Sequence, residues 1–516
     1  MNFELSEYQK KIKTYFVMHP HNNMAIEALA GCGKTSTALM LTNLTKSSDV
    51  YIAFNKSIQM EMKEKLTNPK TKCFTMHGLA LSVMNYNLGL IHKKCVLDNY
   101  KIFKYVEDLF KSEYKNKKNN TLEMKTFLQE NYSTVYNLIR LKCIEINADN
   151  IEYMLNDMGL FQAVNNCFAP SIGEIVDWLE KIDSMSLRDF EEKNICDFTD
   201  MLYITLNKLQ NKEWQIPYWM LYTNIYADEA QDLSQIQLRL LKYFKRTGGR
   251  YVFIYDQNQA IYGFAGADCK SYEKIHKIFA PIEKFKLPIN YRCGSKILDY
   301  TNSKFHVGIL PRPNANEGAV HTILESKISE YIKPNDFMIG RTNQQLIGIG
   351  LALVKENIRI YLEDKEIVTT LIKYIQSLKM TTVDEIKIYC MDLIEDYGQM
   401  NAIERAQYKY EIIENAIMSL SLINNFQNFS QSKSINNLIA YIEDIINTTN
   451  PTDCVRIMSI HKSKGLEADN VFVLNEAEPF VKLARSKDMI QQEKNLSYVA
   501  ITRAKNNLYL VKGVAE

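Results

Sequence analysis

Residues 28–37 read ALAGCGKTST. Gly31, Gly33, Lys34 and Thr35 have the types and spacing of a loop that cradles phosphate. Glycines let backbone N–H groups approach an anion, the lysine reaches the β- and γ-phosphates, and the hydroxyl ligates Mg²⁺. The usual pattern opens on glycine, where this chain has Ala28; at a strand end a small side chain suffices. A second stretch, IYADEAQD at 225–232, ends an apolar run in acid. Asp228 is placed to hold the Mg²⁺ shell, and Glu229 to orient and deprotonate an attacking water. Either stretch alone has a plain reading, as a glycine turn or a solvated acidic turn. Together they predict hydrolysis of a nucleoside triphosphate.

Such a loop works only between a buried strand and a helix N-terminus. The flanking sequence provides both. MAIEAL (24–29) reads as a buried strand and TSTALMLTNLTK (35–46) as a helix. VYIAF (50–54) and KCFTM (72–76) read as further strands, separated by the helical NKSIQMEMKEKL (55–66). This alternation predicts an α/β fold with a parallel sheet. The strand signal fades between 86 and 214, with a polar break at KSEYKNKKNN (111–120), and returns with NIYADEAQD and RYVFIYD (250–256). A second α/β pattern begins at 283, with DFMIGRT (336–342), CVRIMSI (454–460), DNVFVLN (469–475) and NNLYLV (506–511). The expected organisation is a first α/β domain over 1–85 and 215–282, interrupted by a helical insertion over 86–214. A second spans 283–364 and 451–516, interrupted by helices over 365–450.

Composition excludes several classes. Of 516 residues, 46% are hydrophobic and 24% charged, as in a globular protein. The longest apolar run, LIGIGLALV (346–354), is too short to span a bilayer, and the N-terminus lacks the order of a signal peptide. Ten scattered cysteines form no C-x-x-C pair and read as reduced thiols. An intracellular location, cytoplasmic or nuclear, is expected. A net charge of +2 announces no bulk attraction to nucleic acid.

The chain resembles superfamily 1 helicases of the UvrD/Rep type, most closely the F-box DNA helicase branch, along nearly its whole length. LSEYQKKI (5–12) looks like the adenine-reading glutamine motif, with Gln9 as the glutamine. ALAGCGKTST is similar to the family's A-x-A-G-S-G-K-T, in which alanine at the first position is usual. AFNKSIQMEM (53–62) and TMHGLA (75–80) look like strand-contacting motifs, and DFTDML (197–202) like D-F-x-D-[LM]-L. DEAQD (228–232), YDQNQAIYGFAGA (255–267), LPINYRCGSKIL (287–298), SIHKSKGLEADNVFV (459–473) and QEKNLSYVAITRAK (492–505) follow in order.

The resemblance implies two RecA-like domains and ATP with Mg²⁺ in a cleft between them. It assigns the nucleotide to Gln9, Ala30, Gly31, Cys32, Gly33, Lys34, Thr35, Ser36, Tyr291 and Glu467, with Tyr291 on the adenine and Glu467 on the ribose. It makes Gln259 a sensor of the γ-phosphate and Arg292 and Arg503 arginine fingers beside Lys34 and Glu229. Such fingers contribute about 10³–10⁵ in rate in related hydrolases. Strand contacts fall to Phe54, Asn55, His77, Tyr262, Phe264, His461 and Lys464, the aromatics by stacking on bases. Without the motifs, core packing would be the better reading for these aromatics; for His77, a capping or core role stands nearly level with a strand contact. The implied function is ATP-dependent translocation on single-stranded DNA, 3′→5′, with unwinding of duplex; the alternative is a translocase that displaces bound proteins and unwinds little. A silent binding module is disfavoured by intact Lys34, Glu229, Arg292 and Arg503. Implied partners are single-stranded and partly duplex DNA and replication or recombination proteins, with no membrane and a monomeric chain.

Four positions depart from the family pattern. Ala265 stands where arginine is common, Tyr255 where glycine precedes Asp256, Asn495 where a basic residue follows Lys494, and Cys32 where the loop has serine. Beside Lys34 and a helix N-terminus, Cys32 is expected to be a reactive thiol. No nuclease domain is expected after the last motif, and no F-box-like segment before the first.

Overall fold

A computed structural model describes residues 4–89, 95–114, 122–158, 160–161, 170–263, 266, 271–356, 358–363, 365–400, 410–446, 452–475 and 487–513. The chain divides into two units. The first is Met1–Pro288 with Ala484–Gln492, and the second is Ile289–Leu483 with Glu493–Glu516.

The first unit is built on six parallel strands. They are β1 (Asn23–Ala28), β2 (Asp49–Ile52) and β3 (Thr71–Phe74), then, beyond the short β4 (Val96–Leu97) and β5 (Ile195–Cys196), β6 (Tyr222–Ala227), β7 (Lys245–Tyr255) and β8 (Ile282–Leu287). Their order is β3-β2-β6-β7-β1-β8. β1, β2 and β6 are almost wholly buried, which accounts for their continuous apolar sequence. Helix α1 (Glu7–Met18) precedes β1, α2 (Lys34–Asn43) and α3 (Lys56–Lys65) occupy the crossings from β1 to β2 and from β2 to β3, and α4 (Met76–Asn87) opens the long connection from β3 to β6. β8 corrects one boundary: it pairs with β1 from Asn23↔Ile282 to Ala28↔Leu287, so the segment from 283 completes the first sheet instead of opening the second.

Between α4 and β6 lie α5 (Lys101–Glu113), α6 (Leu122–Lys142), α7 (Ala148–Met158), α8 (Ile172–Lys193) and α9 (Phe198–Gln210). Aromatic and aliphatic side chains of α5 to α8 form a core of their own, around Trp178, Tyr132, Phe127 and Ile182. β4 and β5 pair in parallel where this layer leaves and rejoins the sheet. α9 packs instead against α4 and the main core.

The second unit holds β9 (Ile289–Asn290) paired with β10 (Leu310–Pro311) and a second parallel sheet. Its strands are β11 (Ala319–Leu324), β12 (Phe337–Gly340), β13 (Ile360–Leu362), β14 (Val455–Ser459), β15 (Ala468–Leu474) and β16 (Ala504–Lys512), in the order β11-β16-β15-β12-β14-β13. Helices Lys365–Ser377, Val383–Gln399, Tyr410–Phe429 and Ile435–Ile446 intervene between β13 and β14. LIGIGLALV lies inside the helix Asn343–Lys355. No described helix is long and apolar enough to cross a membrane.

Candidate nucleotide and strand-binding sites

The loop after β1 turns through two left-handed glycines, Gly31 (φ 67°) and Gly33 (φ 81°). A side chain at either would be strained, so glycine is required by the turn itself. Gly33 caps α2 without a side-chain bond, which leaves the first-turn N–H groups of Lys34, Thr35 and Ser36 at the loop. A helix N-terminus presented this way is an anion cradle. Ala30 is fully buried beneath the loop, Thr35 is half-buried and Ser36 exposed. Cys32 is only 2% exposed and its Sγ faces the Ala30 carbonyl at 3.5 Å, so the expected reactive thiol is shielded by its own loop.

Gln9 packs against this loop. Its Oε1 accepts from the Ser6 N–H at 3.1 Å in a capping box, and its Nε2 donates to Thr37 Oγ1 at 3.1 Å. One end of the amide therefore caps α1, and the other ties it to α2.

The acidic motif leaves the end of β6 beside Lys34. Lys34 Nζ is 3.4 Å from Glu229 Oε1, with both side chains largely buried. Asp228 accepts from the Tyr51 hydroxyl and, at 2.9 Å, from the Glu229 N–H. Burial and then the neighbouring Glu229 charge push the Asp228 carboxyl up to about 6. Glu229 itself holds a left-handed backbone (φ 48°), a strained conformation for a non-glycine residue that aims its carboxylate at the lysine. Gln231 links two motifs: its amide donates to Glu229, and its Oε1 accepts from the Asp256 N–H at 3.0 Å. Gln259 is buried and donates to Asp256 Oδ2 at 2.7 Å. Burial raises the Asp256 carboxyl, and Lys34 acts against that shift. The Lys34 ammonium thus pairs with Glu229, and its charge counters the effect of burial on Asp228 and Asp256. The donor set, a threonine hydroxyl and buried carboxylates beside exposed amides, fits a magnesium-bound triphosphate. The sequence reading missed Gln231 and Tyr51; only their adjacency to the acidic residues, in sequence or across β2 and β6, signals them.

A second group stands nearby in the fold, where β2 and β3 end. Phe54 and Tyr262 stack with ring centroids 4.8 Å apart. Asn55 is exposed and caps α3, its side chain accepting from the Ile58 N–H at 2.9 Å. His77, in the first turn of α4, meets Phe198 edge-on at 5.8 Å. Burial lowers the His77 pKa, so its ring is neutral at neutral pH. Phe198, which sequence reasoning did not single out, is half exposed at the start of α9. Phe264 and Ala265 lie outside the described residues.

In the second unit, Arg292 donates through Nε to Glu467 at 2.5 Å and through a terminal nitrogen to the Thr502 carbonyl at 3.1 Å. Lys505 holds the other Glu467 oxygen at 2.9 Å. Burial would raise the Glu467 carboxyl, but Arg292 and Lys505 together hold it below its ordinary value. Tyr291 is exposed. Arg503 is only 2% exposed, donating to the carbonyls of Val499 and Leu466 and to Thr502 Oγ1. His461 and Lys464 are half-buried in and just after the short helix Ile460–Ser463. The departures Tyr255 and Asn495 are both buried.

A glycine loop between a buried parallel strand and a helix, faced by acid from the end of β6, one strand removed from β1 in the same sheet, defines a phosphate-loop site. The UvrD/REP helicase N-terminal domain model matches residues 9–280, and the UvrD-like helicase C-terminal domain model matches 454–511. This chain belongs to the UvrD/Rep helicase family. Among curated proteins, it is 22% identical over 98% of its length to the ATP-dependent DNA helicase Rep of Buchnera aphidicola (subsp. Baizongia pistaciae), covering 91% of that protein. It is 24% identical over 96% of its length to F-box DNA helicase protein 1 of Schizosaccharomyces pombe, covering 56% of it. It matches the ATP-dependent DNA helicase PcrA of Staphylococcus aureus at 22% over 63% of the chain and 59% of the relative.

Proposed function

We propose that this chain is an ATP-hydrolysing DNA helicase that moves 3′→5′ along single-stranded DNA. The observation that carries the reading is the meeting of Lys34, Asp228 and Glu229 at a left-handed glycine loop. Membership of the UvrD/Rep family and the names of the relatives support the choice of DNA as track.

Lys34 and the α2 amides would bind the triphosphate, and Gln9 would face the adenine beside the loop. Thr35 and Asp228 would hold Mg²⁺, which shields phosphate charge when bound. Glu229 would accept a proton from the attacking water, with Gln231 fixing its carboxylate. Gln259 would report the γ-phosphate. Arg292 and Arg503 would stabilise charge on the transferring group, Tyr291 would cover the base, and Glu467 would take the ribose. Phe54, Tyr262 and Phe264 would stack on bases, with Asn55, His77, His461 and Lys464 near the backbone. Because the His77 ring is neutral, it would act as a hydrogen-bonding or packing group instead of a phosphate counter-charge.

Steady-state ATP hydrolysis tests the reading, measured alone, with single-stranded DNA, with single-stranded RNA, and with the divalent cation chelated. The expected result is strong stimulation by DNA, little by RNA, and loss on chelation. Folded protein without hydrolysis under any condition would overturn it. Unwinding of a tailed duplex, compared with removal of a protein bound to the strand, separates a helicase from a stripping translocase.

A further inference from the structure

The other end of the first sheet carries a surface that the nucleotide and strand sites do not use. Tyr218 and Trp219, just before β6, are 72% and 57% exposed. Trp219 meets the exposed ring of Tyr86 edge-on at 5.2 Å. The Arg246 guanidinium lies 4.8 Å from the Tyr218 ring centroid. Lys72 Nζ reaches the Trp219 carbonyl at 3.5 Å. The segment is fixed to α4 by a reciprocal pair: Asn87 donates to the Gln215 carbonyl, and the Gln215 N–H donates to Asn87, both at 3.0 Å. Three aromatics and two cations are therefore held in one place by the fold.

Two features mark this patch as unfinished. Among the described residues, neither Lys72 nor Arg246 meets a carboxylate, and Arg246 Nε is buried without an acceptor. A carboxylate docked on this surface would give the two cations the charge-assisted partner they lack. The exposed aromatic side chains are Trp and Tyr, and the half-buried Arg246 lies against one of them; these are the types that anchor protein interfaces. The position argues against the nucleic-acid track. Trp219 precedes β6 and Asp228 follows it, so a strand rising about 3.3 Å per residue separates the patch from the nucleotide site by roughly 20 Å.

We propose that Tyr86, Tyr218, Trp219, Lys72 and Arg246 form a docking site for an acidic peptide segment of a partner protein. An aromatic side chain of that segment packs on Trp219 and Tyr218, and its carboxylates pair with Lys72 and Arg246. Protein recruitment is thereby separated from the motor's own substrates.

The test uses the full chain and a fluorescein-labelled peptide, Asp-Asp-Phe-Asp-Asp-Phe, followed by anisotropy. The expected result is saturable binding that weakens with salt and is lost when serine replaces each Asp. Trp219→Ala and Arg246→Glu should each weaken binding by about tenfold or more. Trp219→Ala should leave the melting temperature and DNA-stimulated ATP hydrolysis unchanged, which separates this site from the proposed motor. Equal binding of the serine peptide, or wild-type binding by both variants, would overturn the proposal. So would weaker binding of a single-stranded oligothymidylate by Trp219→Ala with peptide binding unaltered, which would place the patch on a nucleic-acid path.

Discussion

Lys34 is shared. Its ammonium stands 3.4 Å from Glu229 and is felt by Asp228 and Asp256. A γ-phosphate would compete for the same ammonium, so drawing Lys34 onto phosphate releases Glu229 to accept a proton. This makes Glu229→Gln the informative substitution. The amide keeps an oxygen for Gln231 but removes the proton acceptor together with the negative charge that Lys34 faces. Turnover should fall by about 10²–10⁴, the usual range for a positioned base, while binding of a fluorescent ATP analogue stays within a few-fold. Turnover equal to wild type would remove Glu229 from the mechanism. The glycine loop and the acidic pair were legible in the sequence because their spacing is dictated by one turn and one strand end. The left-handed backbone of Glu229 and the bridging role of Gln231 were not, since both depend on where β6 and β7 stop.

At the scale of elements, DFTDML shows what a motif match leaves unexplained. Asp197 caps α9 and forms a capping box with Asp200. Both carboxylates then bind Arg140 of α6, which is fully buried, and Asp200 also pairs with Lys101 of α5, which in turn donates to Ser186 of α8. Four helices meet on one charge network, with Phe198 exposed between its two acids. In sequence these residues look like solvated faces, because burial of a charge is decided by partners more than 50 residues away. Arg140→Met would leave two buried carboxylates with Lys101 as their counter-charge, paired with Asp200 alone. Removing one partner of such a pair costs about 3–5 kcal/mol, so a clear drop in the urea midpoint is expected, where a surface arginine would cost almost nothing. An unchanged midpoint would mean the network is not holding the layer. The missed strands have a similarly physical cause. β11 is a largely solvent-facing edge, β13 has three residues, and β8 alternates charged and apolar residues at the other sheet's edge. None offers the continuous apolar run that betrayed β1, β6, β12 and β15.

For the whole molecule, the proposed mechanism asks residues of both units to act on one reaction. The family resemblance assigns Arg292 and Arg503 the same finger role, but their surroundings differ. Arg503 is sealed in its unit and donates to three acceptor oxygens, so its removal takes a donor from each of them and opens a void. Arg292 is less enclosed and is held by Glu467, whose other oxygen already has Lys505. Arg503→Ala should therefore lower the melting temperature of the second unit together with turnover, and its loss of activity alone would say nothing about catalysis. Arg292→Ala should leave the melting temperature within a degree or so, because Lys505 keeps Glu467 paired and surface-side truncations are mild. If Arg292 stabilises the transferring phosphoryl group, turnover in that variant falls by about 10³ or more while nucleotide affinity of the first unit is kept. Parallel calorimetry and ATP hydrolysis on the two variants decide this: an Arg292→Ala protein with full turnover would confine the chemistry to the first unit.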